Sequence, residues 1–260
     1  MVRVKNEEEF LYPAVKSIID LVQEVVLIDN ASSDGSPSIM ERLRAEHPDT
    51  VALHVYPHEI RRVGRENWEL SARDGDSPSL SANYYNWSLA RCRRDYVLKW
   101  DGDMVALPSF SDALAAWRRD PRPVMVSNGV NVHPDRRHAI AARATDRESL
   151  LAALSVPGLP LWATSLTYDY PEPRLFPREG ASYTSDLKWT QILSSPAVDA
   201  GPRNLFKAQS PSYLHMKFCK KDPLSNYTGD LAAAIGGNIA IGEPLRDEWA
   251  QVLRRWRIGP

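Results

Sequence analysis

The stretch that decides the fold is Tyr96-Val97-Leu98-Lys99-Trp100-Asp101-Gly102-Asp103-Met104-Val105. Its first five residues are mostly apolar and β-forming, and they predict a buried central strand over residues 96–100. The strand ends at two carboxylates separated by Gly102, a residue type that lets the backbone come close to a ligand. In open α/β sheets, ligands bind outside the carboxyl ends of the strands, so this motif marks a candidate site.

Two interpretations of the Asp-Gly-Asp motif stand side by side. Two carboxylates suit Mg²⁺ or Mn²⁺ better than zinc, and a bound divalent ion would in turn hold phosphate. Asp and Gly are also common turn residues, so the same letters are compatible with an ordinary turn after a strand. The motif alone does not decide between them.

The composition is that of an ordinary globular protein. The 260 residues are 43% hydrophobic and 25% charged, and the formal net charge is -1, which predicts no nucleic-acid partner. The two cysteines, Cys92 and Cys219, indicate neither a disulfide framework nor a zinc cluster and fit a reducing cytoplasm. We find no membrane-spanning stretch or signal peptide, so we expect a cytoplasmic protein whose membrane contact, if any, is peripheral at the inner face. No obligate protein partner is indicated.

Strand and helix patterns alternate three times within the first sixty residues. This order predicts a mainly parallel sheet, and right-handed crossovers place the ends of its first two strands at one edge. Strands are predicted over residues 2–5, 24–28 and 51–56, with helices over 6–22 and 37–46.

The later patterns are less regular. A polar loop is predicted over 58–79, helices over 80–93, 109–119, 146–154, 186–193 and 243–257, and extended segments over 124–132 and 161–170. The last helix carries Trp249, Leu253 and Trp256 on one face, which predicts docking on the body of the protein. Binding to a membrane surface is the alternative for that face.

Acids follow two of the predicted strands. Asp29 comes after the second strand, and Asp101 and Asp103 come after the central one. In a parallel sheet these ends face the same crevice, where one carboxylate accepts hydrogen bonds from a base or ribose and the pair holds a metal on a diphosphate. This division of roles is what a nucleoside-diphosphate donor requires.

Four motifs follow one another in a fixed order across residues 2 to 110. They are Arg3-Val4-Lys5-Asn6-Glu7-Glu8, then Val26-Leu27-Ile28-Asp29-Asn30-Ala31-Ser32-Ser33-Asp34-Gly35-Ser36, then Asn86-Trp87-Ser88-Leu89-Ala90, and finally Asp101-Gly102-Asp103. This order and spacing resemble glycosyltransferase family 2, a group of nucleotide-sugar transferases with the GT-A fold. One departure is Tyr85, which stands where the family often has Arg before the Asn of the third motif.

The resemblance implies an α/β fold of the GT-A type, which is Rossmann-like and three-layered with a mainly parallel central sheet. It implies a single domain over residues 1–260, with a nucleotide-sugar-binding half at 1–125 and an acceptor-binding half, including the C-terminal helix, at 126–260. Asp29 is expected to bind the base, and Asp101 and Asp103 to bridge ribose, diphosphate and metal. The full set of expected donor-binding residues is Val4, Lys5, Asn6, Glu7, Asp29, Ser32, Asn86, Asp101, Gly102 and Asp103.

The second half supplies the remaining expected groups. The segment Pro173-Arg174-Leu175-Phe176-Pro177-Arg178 resembles one that precedes the acceptor helix in many such proteins, with Asp169, Glu172, Glu179 and Asp186 around it. An inverting transferase needs one acid as base; Asp186, at the start of a predicted helix, is favoured, with Glu179 and Asp169 as alternatives. By the same resemblance His215 would join Asp101 and Asp103 on the metal, and Lys217 or Lys220 would neutralise the departing diphosphate.

The predicted function is therefore an inverting glycosyltransferase dependent on Mn²⁺ or Mg²⁺. It would move a sugar from a UDP- or GDP-type donor to a saccharide or other hydroxyl acceptor, in polysaccharide or glycoconjugate synthesis. Two alternatives stay open: a phosphatase of the haloacid dehalogenase type with Asp101 as nucleophile, and a non-catalytic protein that binds nucleotide sugars.

Overall fold

The computed structural model describes residues 1–61, 65–141, 172–187, 190–220 and 240–259. Its strands are β1 (Val2–Val4), β2 (Val25–Asp29), β3 (Val51–Val55), β4 (Tyr96–Leu98), β5 (Trp100–Asp101), β6 (Met104–Ala106), β7 (Val124–Ser127), β8 (Gly129–Asn131), β9 (His138–Ala141), β10 (Glu172–Pro177), β11 (Ser182–Leu187), β12 (Thr190–Ser194), β13 (Leu205–Lys207), β14 (Tyr213–His215) and β15 (Ala240–Pro244). Its α-helices are α1 (Leu11–Lys16), α2 (Ser36–Glu46), α3 (Arg65–Arg73), α4 (Ser81–Leu89), α5 (Pro108–Arg119), α6 (Pro196–Asp199) and α7 (Asp247–Arg255).

A parallel sheet with the strand order β3-β2-β1-β5 lies at the centre of the amino-terminal half. Every residue of β2 is buried, as expected of a strand that is covered on both faces. Val4 pairs with Asp29 and Arg3 pairs with Asp101, so the two predicted acid-bearing strand ends lie on either side of β1. The predicted α/β class with a mainly parallel central sheet is confirmed.

The predicted strand over residues 96–100 is interrupted at Lys99, and its two parts pair in different sheets. Strand β4 pairs antiparallel with β10, in a sheet of order β13-β7-β10-β4, whereas β5 pairs parallel with β1. The Lys99 amide donates to the carbonyl oxygen of Arg174, and the Trp100 amide donates to that of Met1. The chain therefore passes from one sheet to the other immediately before Asp101.

Trp100 holds the Asp-Gly-Asp turn from inside the core. Its side chain is fully buried, and its Nε1 donates a 2.9 Å hydrogen bond to the carbonyl oxygen of Met104, beyond the turn. The rings of Phe110 and Tyr213 pack against it at centroid distances of 5.0 and 5.4 Å. The turn is thus supported by a large buried aromatic side chain that also satisfies its own N–H group.

A third sheet, of order β6-β14-β8, brings a late segment to the same place. Strand β14 pairs antiparallel with β6, so that His215 lies opposite Met104, the residue after Asp103. The parallel partner of β14 is β8, where Gly129 faces Tyr213. His215 is therefore delivered to the turn by strand pairing, although more than a hundred residues separate the two in sequence.

Three predicted elements are wrong in extent or type. The helix over 6–22 is reduced to α1 and a short 3-10 helix at Ile19–Leu21. The polar loop over 58–79 contains α3, whose Asn67 is buried and accepts hydrogen bonds from the amide and hydroxyl of Ser81, a tertiary contact that its polar sequence does not reveal. The helix over 186–193 is replaced by the antiparallel pair β11 and β12, in which Thr184 pairs with Ile192 and Leu187 pairs with Thr190. The segments 146–154 and 161–170 lie outside the described residues.

The predicted docking of the last helix is confirmed. Trp249 and Leu253 of α7 are buried and belong to a hydrophobic cluster with Phe10, Val105 and Leu214. Among the described helices, none has the length and apolar character needed to cross a bilayer.

We expect Gly129→Ala to destabilise the pairing that positions His215. A Cβ at this position would lie 2.1 Å from Cε2 of the fully buried Tyr213, so the ring or the strand would have to move. The expected cost is about 1–3 kcal/mol in the free energy of unfolding, measured by urea denaturation. Gly259→Ala is the control, because its Cβ would meet no heavy atom within 4 Å; equal stabilities of the two variants would contradict the prediction.

Candidate active site

The acids of the two strand ends share an edge of the sheet but not a face. Asp29 pairs with Val4 and Asp101 pairs with Arg3, and strand spacing places their Cα atoms about 10 Å apart, on either side of β1. Successive side chains along a strand point to opposite faces, so the carboxylates of Asp29 and Asp101 leave the edge in opposite directions. Strand pairing thus brings Asp29 and Asp101 to one edge of the sheet, and the expectation that the three acids line a common cleft stays a prediction.

Asp101 is held by two arginines. Arg3 Nη2 donates to Asp101 Oδ1 at 2.6 Å, and Arg174 Nη1 donates to Oδ2 at 3.2 Å. The Arg174 side chain is only 1% exposed, and its Nη2 donates to the hydroxyl of Tyr213 at 2.7 Å. Burial would raise the pKa of Asp101, but Arg3, Lys99 and Arg174 outweigh it and hold that pKa well below its usual range. Asp101 is therefore ionised, and each of its oxygens faces a guanidinium group.

Asp103 belongs to a different set of contacts. Its Oδ1 lies 3.2 Å from Nε2 of His215, and its Oδ2 lies 2.7 Å from Nζ of Lys220. The same ammonium nitrogen lies 2.7 Å from Oε1 of Glu7. Burial opposes ionisation of Asp103, yet the charges of Lys220 and His215 lower its pKa below the usual range. Lys220 thus links two carboxylates from separate parts of the chain.

Of these two carboxyl groups, Glu7 is the one whose ionised form is disfavoured. Burial, followed by the nearby charge of Asp103, raises the pKa of Glu7, against the opposing effect of Lys220. Its Oε2 is buried and has no hydrogen-bond partner among the described residues. A Cβ on Gly102 would lie 2.9 Å from Cγ of Glu7, so the glycine is what lets Glu7 pack against the turn.

The first two motifs of the sequence bind each other. Asn6, with a left-handed φ of 56°, donates its amide to Oγ of Ser32 and accepts the amide of Ser33 at Oδ1. The amide of Glu7 donates to Oγ of Ser36 at 2.7 Å. Further contacts between the two motifs join Lys5 to Ala31, and Glu8 to Asp34 and Gly35. Within the second motif, Asp29 accepts a hydrogen bond from the amide of Ser32. Several expected donor-binding side chains therefore hold the loop after β2 in place.

The third motif has a structural partner as well. The side-chain amide of Asn86 exchanges two hydrogen bonds with the backbone of Tyr183, at 2.7 and 2.8 Å, and so anchors β11 to α4. The ring of Tyr85 lies under the guanidinium of Arg3, with 3.4 Å from Cζ to the ring centroid. Where the family often has an Arg, this chain has an aromatic ring that supports an arginine from β1.

The structure separates the expected catalytic acids. Glu179 is exposed and follows β10, whose last residue, Pro177, pairs with Tyr96 at the beginning of β4; Glu179 therefore lies at the edge opposite Asp101. Asp186 lies in β11 and not at the start of a helix, which corrects the prediction for its position. Asp169 is outside the described residues.

Sequence reasoning did not assign Arg3 or Lys99 to the site, and it named Glu172 only as one of four acids that could supply the base. Glu172 is within 3.5 Å of Nη2 of Arg174 and accepts a hydrogen bond from Lys99. The available signal was a charged residue, Arg3, between the apolar Val2 and Val4 of a buried strand, because a buried charge requires a partner.

Two of the three expected metal ligands come together. Asp103 and His215 are adjacent, whereas Asp101 would have to give up an arginine in order to bind a cation. In the part of the chain that the structure describes, no group of three or more His, Cys, Asp or Glu side chains is arranged as a metal site.

We expect Asp101→Asn to lower the free energy of unfolding by about 3 kcal/mol at pH 7, because it removes the charge that pairs with the largely buried Arg3 and Arg174. The control is Glu41→Gln, which removes a surface partner of Arg44 and is expected to cost less than about 0.5 kcal/mol. Since the folded-state pKa of Asp101 is depressed, its contribution is lost as pH falls below the unfolded value of about 3.9. The difference between wild type and Asp101→Asn in urea denaturation should therefore shrink below that pH; a constant difference would contradict the assignment.

The chain was compared with known proteins. Residues 1–67 match the family described as "Glycosyl transferase family 2", and no curated protein matches the chain. Similar solved structures include S. aureus TarS 1-349 in complex with UDP, at 14% identity over 83% of this chain and 59% of that one, with a TM-score of 0.46. Another is the mannosyltransferase PcManGT from Pyrobaculum calidifontis in complex with GDP-Man and Mn2+, at 26% identity over 51% of this chain and 34% of that one, with a TM-score of 0.33.

A third similar structure is the inositol-1-phosphate CTP transferase from T. maritima, at 10% identity over 90% of this chain and 93% of that one, with a TM-score of 0.44. The chain spans 59% of the length of the TarS 1-349 structure that it matches. The family match covers β1, α1, β2, α2 and β3, and it includes the first two motifs. Residues 1–67, called the family 2 segment below, are therefore similar to glycosyl transferase family 2, the family that their motifs resemble.

Proposed function

We propose that the protein transfers a sugar from a nucleoside-diphosphate sugar to a hydroxyl acceptor, with inversion at the anomeric carbon. The observation that carries this proposal is the contact between the Asp-Gly-Asp turn and Glu7 of the family 2 segment, at the carboxyl edge of the parallel sheet. This edge is where ligands of open α/β sheets bind. Glu7 and the turn meet there although nearly a hundred residues separate them in the sequence.

Positive charge at this edge suits a diphosphate. Arg3 and Arg174 form ion pairs with Asp101, and Lys220 forms one with Asp103. Groups of this kind stabilise the negative charge that develops on the departing phosphate. Asp29 accepts from the amide of Ser32, and a carboxylate has further lone pairs with which to accept hydrogen bonds from a base or ribose.

Asp103 and His215 fit a divalent ion such as Mn²⁺ or Mg²⁺, because a carboxylate oxygen and an imidazole nitrogen are suitable donors and lie 3.2 Å apart. A cation bound there would supply charge stabilisation to the leaving diphosphate. Asp101 has a different role in this proposal: it positions Arg3 and Arg174.

Asp186 is the proposed base that deprotonates the acceptor hydroxyl. A base needs a pKa near the working pH and a free lone pair. Burial would raise the pKa of Glu172, but Arg174 and Lys99 outweigh it and lower that pKa, which makes Glu172 a poor base. Asp186 follows Tyr183 in β11, and the Tyr183 ring packs 4.8 Å from that of Tyr85, beneath Arg3. This connection from β11 through Tyr183 to Arg3 supports Asp186 over Glu179, which follows the end of β10 at the opposite edge.

The phosphatase alternative finds no supporting feature at Asp101. A nucleophilic carboxylate needs an oxygen free to attack phosphorus, whereas both oxygens of Asp101 face arginines. The non-catalytic alternative differs from the proposal only in turnover, so the experiment that follows separates the two.

A thermal-shift screen of UDP, GDP, CDP and dTDP sugars with Mn²⁺ or Mg²⁺ is expected to identify a donor. A ligand at 100 times its Kd stabilises the folded state by about 2.7 kcal/mol. With that donor, Asp103→Asn is expected to lower hydrolysis and transfer at least about a hundredfold, by loss of charge stabilisation, while its circular dichroism stays unchanged. Wild-type turnover in Asp103→Asn would contradict the role of Asp103, and donor binding without any turnover would favour the non-catalytic alternative.

Asp186→Asn is expected to lower kcat by about 10²–10⁴, the usual contribution of a general base, and to leave the donor-induced thermal shift intact. Glu179→Gln is the matched control, because Glu179 is exposed at the opposite edge of the sheet. Steady-state kinetics with donor and acceptor both saturating measure the effect. If the two variants retain equal activity, the base is another group.

A further inference from the structure

We propose that Glu7 and Asp103 form a cation site that the ammonium group of Lys220 occupies in the unliganded protein, and that a divalent ion binds there by displacing Lys220. The inference concerns the same site as the proposed function and rests on that function for its role in catalysis. It replaces Asp101 with Glu7 in the expected set of metal ligands.

The position of Lys220 is the first observation. Its Nζ lies 2.7 Å from Oε1 of Glu7 and 2.7 Å from Oδ2 of Asp103. The three side chains are 13%, 8% and 4% exposed, respectively. Two carboxylates at this depth repel each other strongly without a cation between them, because the surroundings screen charge poorly. The ammonium group therefore lies where a bound cation would lie.

The second observation is the carboxyl group of Glu7 itself. Its Oε2 is buried and without a hydrogen-bond partner among the described residues, although Oε1 is engaged by Lys220. An unpartnered buried oxygen beside a cation position indicates coordinating capacity that the lysine does not use. Nε2 of His215 lies on the other side of Asp103, at 3.2 Å from Oδ1. Glu7, Asp103 and His215 together offer the oxygen and nitrogen donors that Mn²⁺ accepts.

Glycine at position 102 is what permits this arrangement. A Cβ there would approach Cγ of Glu7 to 2.9 Å and Cβ of Glu7 to 3.3 Å. Any other residue would push Glu7 away from the turn that carries Asp103. Asp101, on the other side of the glycine, points instead to Arg3 and Arg174. The two acids of the motif thus pair with different cationic groups: Asp101 with the two arginines, and Asp103 with Lys220.

Lys220 and a divalent ion compete for the same oxygens. A tethered ammonium group is present at high effective concentration, so it occupies the carboxylates for most of the time. The apparent affinity for the ion falls in proportion to the fraction of molecules in which the site is vacant. When the ion binds, Lys220 is released beside it and is free to meet an anionic ligand such as a diphosphate.

The test is calorimetric titration of the full chain with Mn²⁺ alone, at one pH and without a donor. Lys220→Met is expected to bind Mn²⁺ at least about tenfold more tightly than wild type, because the competitor is gone. Lys99→Met is the matched control: it removes the same charge from the neighbouring Glu172 and Asp101, and we expect less than about a threefold gain because general electrostatics is screened. Equal affinities of Lys220→Met and wild type, or equal gains in both variants, would overturn the proposal.

A second comparison identifies the ligands. In the Lys220→Met background, Glu7→Gln is expected to abolish the gain in Mn²⁺ affinity, whereas Asp101→Asn should keep it. The opposite pattern would identify Asp101, and not Glu7, as the ligand of the metal ion. If Lys220→Met is unstable, Mn²⁺ should raise its melting temperature toward that of wild type, since a cation restores the lost counter-charge; a melting temperature insensitive to Mn²⁺ would contradict the inference.

These outcomes separate the inference from the proposed function. Failure to transfer sugar from every donor would contradict the function and leave the Mn²⁺ titrations unchanged. Equal Mn²⁺ affinities would contradict the cation site and leave sugar transfer untouched.

Discussion

Charge compensation at a buried sheet edge is the constraint on which this site depends. Four acids, Glu7, Asp101, Asp103 and Glu172, come together there, and each has a cationic partner in Arg3, Lys99, Arg174 or Lys220. A carboxylate removed from water is stable only when a positive charge and hydrogen bonds replace its hydration. The cations are therefore as much a part of the site as the acids, and they explain why Asp101 and Asp103 both remain ionised.

The sheet architecture explains how these charges meet. Strand β1 pairs with β2 on one side and β5 on the other, while β10 and β14 deliver Arg174 and His215 from the second half of the chain. Trp100 locks the beginning of the turn to its end through Met104. The interruption at Lys99 lets one segment serve two sheets, and the site forms where those sheets adjoin.

Some residues of the site could be predicted from the sequence and others could not. The acids at the carboxyl ends of β2 and β5 were predictable, because an apolar run that ends in a carboxylate is a local sequence pattern. The choice between Glu172 and Glu179 was not, because it depends on β10 running antiparallel to β4. Because of that direction, the beginning of β10, with Glu172, lies at the sheet edge that carries Asp101. The end of β10, which precedes Glu179, lies at the opposite edge. The strand at Asp186 was missed for a related reason: β11 is defined by its pairing with β12.

The sequence by itself determined the parallel α/β core, the motifs in the loops after β1 and β2, and the acids of the Asp-Gly-Asp turn. All of these follow from residues close together in the chain, whose spacing sets periodicity, turns and capping. Only the tertiary structure decided which cation each acid receives: Lys220 reaches Glu7 from 213 positions away, and Arg174 reaches Asp101 from 73. Such pairs are set by strand order and register, which bring distant residues together and leave no trace in local spacing.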